Sequence, residues 1–252
     1  MSIDATFIIA FSFVFIRCTA MILSSPLYGA IVPVMIRIMT GAVISLALTP
    51  VLKPYIGEMP TNLMELAMMA GREVLVGLTI GFCLQFLLGT FQMAGSLLDL
   101  QMGIGSAQLF NPQSGGSSTP VGQFKFWLAL VLIFLVNGHQ MMFQAFMQSY
   151  HMTTSLGVIE AGFVDAGVRM FGSLLLIALQ IGAPVLAVTM IIDVAAGIIN
   201  KAVPQAQPFL LSLPAKTALG MVALSIGLPV MVVAVSRGLD ITFIGIGKIL
   251  GG

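Results

Sequence analysis

GSLLDLQMGIGSAQLFNPQSGGSSTPVGQF, residues 95–124, reads as a helix, a break and a second helix. It opens as an apolar run carrying one carboxylate, Asp99. It passes into a glycine- and serine-rich loop with prolines at Pro112 and Pro120, then turns apolar again at Phe124. Gln92, Ser96, Asp99, Gly103 and Ser106 recur at steps of 4, 3, 4 and 3. That spacing puts them on one helix face, with leucines and Met102 on the other. In apolar surroundings, a polar stripe leading into a pliable loop is a water-facing surface or the lining of an internal aqueous path. Gln92, Ser96, Asp99 and Ser106 are therefore candidate lumen-facing residues. Residues 113–119 hold no large apolar side chain and include the adjacent Gly115 and Gly116, so they cannot pack as an element of their own.

The rest of the chain sets that stretch in a membrane. Of 252 residues 58% are hydrophobic and 8% charged, whereas a soluble domain carries roughly 25% charged residues. The composition implies an all-α integral membrane protein. A net charge of +1 gives no reason to expect nucleic acid. Cys18 and Cys83 sit inside apolar runs and read as small buried hydrophobes. The eighteen methionines are scattered, as packing residues are, and not spaced as metal ligands. Asp4 stands where a cleavable leader would be basic, so no signal peptide is expected.

About 20 apolar residues span a bilayer. Residues 74–91, 174–192 and 217–235 meet that length, with Gln85, Gln180 and Pro184 as interruptions. Three further segments are compromised: 5–23 by Arg17, 37–51 by the Arg37 that opens it, and 126–146 by Asn137-Gly138-His139-Gln140. A central arginine costs about 2.5–3.5 kcal/mol on insertion scales. The expectation is about six helical segments, several of them short or broken. Pro26 and Pro33, then Pro50, Pro54 and Pro60, then Pro204, Pro208 and Pro214 mark turns between them. Broken backbone at membrane depth must be buried in protein or line water, so much of this chain is expected to touch other protein. Lysines and arginines divide almost evenly between alternate loops and assign no orientation.

Within residues 74–91 and just before them, Glu73, Gly77, Gly81, Gln85 and Gly89 recur every four residues. Small residues at that spacing let helix backbones approach, so Gly77, Gly81 and Gly89 are candidate packing positions. Glu65, Arg72 and Glu73 stand near the start of this helix. They fit either an interfacial helix start or a contact to a partner's charge. Asp99 and Asp193 are isolated intramembrane carboxylates, open to proton coupling, to a buried polar partner or to water. His139 and His151 lack neighbours at metal-ligand spacing, and no catalytic or nucleotide motif occurs. No metal, no cofactor and no enzyme activity is expected. Residues 158–171, with Asp165 and Arg169 four apart, read as a short amphipathic boundary helix.

Four stretches together carry a family resemblance. They are Arg17 with Pro26, Pro33 and Arg37; GREVLVGLTIGF at 71–82; GSLLDLQMG followed by FNPQ; and VPQAQPFLLSLPAK at 203–216. In this order they resemble the FliR/SctT family of type III export-gate proteins. Asn200 and Lys201 precede the last motif, and Gln207-Pro208 replaces the family's usual pair there. The resemblance implies one chain of a hetero-oligomeric gate built with FliP and FliQ, with FlhB and FlhA nearby. It implies helical hairpins, residues 1–170 being FliP-like and 171–252 FliQ-like. The gate passes unfolded flagellar subunits across the bacterial inner membrane at the flagellar basal body, in contact with membrane lipid. The resemblance also assigns Phe110, Asn111, Pro112, Gln113, Ser114, Gly115, Gly116, Ser117, Ser118, Thr119 and Pro120 to a loop that plugs the channel. The rival from the residues alone is a secondary transporter, with Pro184, Pro229, Asp99 and Asp193 around a midplane site.

Overall fold

The computed structural model describes residues 5–29, 32–56, 62–104, 119–152, 162–203 and 208–250, and among these the apolar segments bounded by proline and glycine become seven α-helices. They are α1 (Ala5–Ser24), α2 (Val34–Leu52), α3 (Leu63–Gln101), α4 (Pro120–Leu135), α5 (Gly138–Met152), α6 (Gly162–Ala202) and α7 (Pro208–Ile249). No strand occurs among the described residues. Among the described residues five helical stretches are long and apolar enough to cross a membrane, or six if the bent pair α4 and α5 is one span. The protein is an all-α integral membrane protein.

Two features depart from the expected segments. Residues 74–91, 174–192 and 217–235 are the central parts of helices of 39, 41 and 42 residues. At ~1.5 Å per residue these run to about 60 Å, twice the ~30 Å hydrocarbon core. Pro50, Pro184, Pro214 and Pro229 also lie inside helices and do not end them. A proline removes one N–H, and neighbouring elements in a membrane protein make room for the ring. Gly227 does this for Pro184, whose Cγ stands 3.6 Å from where a Cβ would be. The amphipathic segment expected at 158–171 is likewise continuous from Gly162 into α6, and residues 158–161 lie outside those described.

Other stops work as the residues dictate. Pro26 opens a short 3-10 turn capped by the Ser25 hydroxyl, and Pro33 sits at the start of α2. Arg37 binds the carbonyls of Gly29 and Val32 and so holds that turn. Between α4 and α5, Asn137 takes φ 60°, a left-handed conformation asparagine tolerates better than most residues. Its carbonyl accepts the N–H groups of Gln140 and Met141.

The chain divides into two compact units that interleave in sequence. The first comprises Met1–Leu87, Asn137–Gly172 and Leu239–Gly252; the second comprises Leu88–Val136 and Ser173–Gly238. In the first unit α2 turns Gly41, Ser45 and Thr49 toward α1 and leaves Met35, Met39, Val43 and Leu46 exposed. The Ser45 hydroxyl reaches the carbonyls of Gly41 and Val14. Small residues suit such a contact, because lipid tails are as apolar as leucine and helices associate by close packing and hydrogen bonds.

Candidate functional site

The polar stripe of α3 meets the start of α4 in the second unit. Asp99, the third-last residue of α3, is fully buried. Its Oδ2 accepts the backbone N–H of Val121 at 2.9 Å and of Gly122 at 3.1 Å. These are two of the donors that a helix start leaves without intrahelical partners. Pro120 has no N–H to satisfy, and Gln123 N–H donates to the Thr119 carbonyl at 2.8 Å. The N–H groups of the first turn of α4 are thus accounted for, two of them by a carboxylate from another helix. Thr119 stands at the cap position, but its side chain makes no cap bond.

Glycines make the approach possible. A Cβ at Gly95 would lie 2.7 Å from Gly122 N, and one at Gly122 would lie 3.1 Å from Gln92 O. The backbones therefore touch where the stripe runs. Lys125, 2% exposed, interacts electrostatically with Asp99 from one turn further along α4. Leu98, Met102, Val121, Val185 and Ala223 form the apolar cluster beside it. The end of α3 is held equally firmly. Gly103 takes φ 78° against the Leu213 side chain, and the Thr217 hydroxyl donates to the Met102 carbonyl at 2.9 Å. Gly103 and Thr119 are thus fixed points on either side of residues 105–118.

Those residues, from Phe110 to Ser118 among the expected plug positions and Ser106 in the stripe, lie outside the described residues. Gln92 and Ser96 are half-buried, and Asp99 is fully buried among the described residues. It is the buried, hydrogen-bonded alternative, because two backbone donors and an apolar cluster surround it. Of the packing glycines, Gly77 and Gly81 lie against α1: a Cβ at Gly77 would be 2.8 Å from Ala20 Cβ, and one at Gly81 would be 2.8 Å from the Met21 carbonyl. Gly89 has nothing within 4 Å.

The first unit holds a charged centre that sequence reasoning missed. Arg17 of α1, 2% exposed, is paired with Glu73 of α3: Nε donates to Oε2 at 2.5 Å and Nη2 to Oε1 at 2.8 Å. Nη1 donates to the Ser149 hydroxyl of α5 at 2.7 Å, and the guanidinium carbon lies 3.7 Å from the Tyr150 ring centroid. The Tyr150 hydroxyl is 3.4 Å from Glu73 Oε2. Three helices are tied through one planar cation, which the rigid fork of arginine suits. Local periodicity cannot find a partner 56 positions away. The available signal was charge itself: an arginine and a glutamate in two apolar segments, with Gly77 and Gly81 opening the face between them.

Asp193 is not isolated either: it pairs with Lys216, joining α6 to α7. Asp165 and Arg169 form the expected i,i+4 pair at 2.8 Å on an exposed face. Cys18 and Cys83 are buried and unbonded to each other, and no group of metal-ligating residues occurs among the described residues.

A family model described as "Bacterial export proteins, family 1" matches residues 8–241. The chain belongs to this family. It is a membrane component of a bacterial export apparatus. The flagellar biosynthetic protein FliR of Bacillus subtilis is 32% identical over 92% of this chain and 91% of its own length. The protein of the same name from Escherichia coli is 23% identical over 86% and 83%. The Yop proteins translocation protein T of Yersinia pestis is 26% identical over 81% and 78%.

Proposed function

We propose that this export protein is a core, non-catalytic subunit of the flagellar type III gate in the bacterial inner membrane. In this reading it assembles with FliP and FliQ, adjoins FlhB and FlhA, and helps form the channel for unfolded flagellar subunits. The observation that carries the reading is a family match running from α1 into α7, joined by relatives named for flagellar biosynthesis. The Yersinia relative makes an injectisome the neighbouring alternative, and the higher identity of the Bacillus protein favours the flagellum. Residues 1–170 would stand in a FliP-like position and 171–252 in a FliQ-like one.

The rooted segment gives this role a mechanism. Residues 110–120 would occupy the channel as a plug while Gly103 and the Asp99-capped start of α4 hold its ends in place. Closure would then come from filling space, with little binding energy to overcome when a substrate arrives. A transporter is less well supported, since Asp99 and Asp193 are both engaged in structural contacts and Pro184 and Pro229 lie within continuous helices.

Deleting residues 113–118 spares the Thr119 cap position and tests the plug. The gate should still copurify with its partner subunits, while membranes carrying it conduct small ions above the wild-type level. Normal conductance in an assembled gate would make the segment an ordinary connector. A chain that purifies alone, with no other small membrane proteins, would overturn the gate assignment itself.

A further inference from the structure

Arg72 stands beside the Arg17–Glu73 pair, attracted by Glu73 and repelled by Arg17, but bonds directly to neither. Among the described residues its guanidinium makes no hydrogen bond or ion pair, and its Nε is buried. Glu73, the adjacent carboxylate, is already held on both oxygens by Arg17. Arg72 therefore shares with Arg17 the one carboxylate that attracts it, and an arginine in an apolar helix is costly unless its charge is fully matched. The space around it is open: Gly71 has nothing within 4 Å, and Met68 and Leu75 are exposed.

A groove begins farther along the same face. Arg72, Thr79 and Phe86 are seven residues apart, so they share one side of α3 at steps of about 10 Å. Thr79, Phe82 and Phe86 line the groove from α3, and Val164, Val168 and Phe171 line it from α6. Its volume is about 560 Å³. Phe86 and Phe171 meet edge to face across it, ring centroids 6.1 Å apart. Thr79 supplies the one hydroxyl among these six side chains.

We propose that Arg72 and this groove form a phospholipid site, with the guanidinium on the phosphate and one acyl chain in the groove. The lining favours an acyl chain, being almost wholly aliphatic and aromatic. Chemistry favours a phosphate, whose oxygens accept the paired N–H donors of arginine. The offset of one cation from one apolar slot, along a single helix face, is the offset of an amphiphile's head from its tail.

The test uses the assembled complex in a maltoside detergent, which brings no phosphate. Phosphatidylglycerol with a photoreactive acyl chain is compared with diacylglycerol carrying the same chain. Phosphatidylglycerol should label peptides covering residues 79–86 and 164–171 about five-fold more, as ~1 kcal/mol per basic residue implies. R72Q should remove that preference, R72K should restore part of it, and V168W should block labelling by both lipids. Equal labelling by the two lipids overturns the proposal, and so does unchanged preference in R72Q. Groove labelling in the isolated chain that vanishes in the complex would make the groove a protein interface instead. The comparison of lipids on the unaltered protein decides the matter even if R72Q does not assemble. Copurification of partner subunits reads the gate assignment separately.

Discussion

Glu73 and Asp99 are both buried carboxylates of α3, yet they are neutralised in different ways. Glu73 is matched by a full opposite charge, the Arg17 guanidinium, with Ser149 and Tyr150 completing the set. Asp99 is matched chiefly by peptide N–H groups at the start of α4, with Lys125 as a neighbouring charge. The first arrangement binds three helices into one unit. The second fixes the edge of a loop. A charge that meets a charge cannot lose its partner cheaply, whereas a charge that meets a helix start is replaceable by any good acceptor.

The contrast breaks most readily at Glu73. E73A leaves the Arg17 cation buried and unpaired, which typically costs 3–5 kcal/mol. The protein should be lost from the folded membrane fraction, as read by protease resistance in detergent. The pair R17M/E73L removes both charges and should recover much of the stability, since well-packed apolar residues often substitute for a buried ion pair. A double variant as unstable as E73A would mean that the geometry of the network matters more than its charge balance.

The same helix face offers a second, smaller break. G77L or G81L forces a side chain into the backbone and side chains of α1, and overpacking of this kind costs about 1–3 kcal/mol or more. G89A meets open space and should be neutral or gain up to ~1 kcal/mol from helix propensity. Thermal melts of the three variants separate them. Equal losses at all three positions would show that the four-residue repeat acts as one seam, with a partner covering Gly89.

At Asp99 the expected effect is smaller again and depends on the substitute. D99N keeps an acceptor for Val121 and Gly122 and should lose no more than about 1 kcal/mol, the share due to charge at a helix start. D99A leaves two buried donors unsatisfied and should cost about 1–2 kcal/mol or somewhat more. Motility that survives D99N but falls with D99A supports the cap. Complete loss of motility in D99N with an intact gate would instead point to proton movement through this carboxylate.

The fold was largely legible because it rests on local signals. Apolar length gave the helices, and Asn137-Gly138 and Pro120 gave real ends. Pro50, Pro184 and Pro214 misled because a single missing N–H does not end a helix whose neighbours make room. The site was legible only in part. The spacing of Gln92, Ser96 and Asp99 located the right face of α3, and the small residues Gly95 and Gly122 later explained what covers it. Periodicity has no means of telling water from another helix, so the sequence left Asp99 open both to water and to a buried polar partner. The partners of Glu73 and Asp193 lie in other helices, and no local pattern names a pair formed across the fold.

Asp193 with Lys216 gives the smallest expected effect and the sharpest test of what burial adds. The Asp193 side chain is 43% exposed, whereas that of Lys216 is 8% exposed. If solvent reaches the carboxylate, screening weakens the attraction, and Lys216 keeps its further polar contact when Asp193 is neutralised. D193N should therefore cost about 1 kcal/mol or less, the range of exposed ion pairs, against several for Glu73. The loss should also shrink as salt is added, while that of E73A should not, because Arg17 and Glu73 are shielded from ions in solution. Melting the two variants at low and high ionic strength measures both predictions together. A salt-independent loss at Asp193 as large as that at Glu73 would place this pair in equally apolar surroundings, and exposure in the single chain would then be covered by a neighbour in the assembled gate.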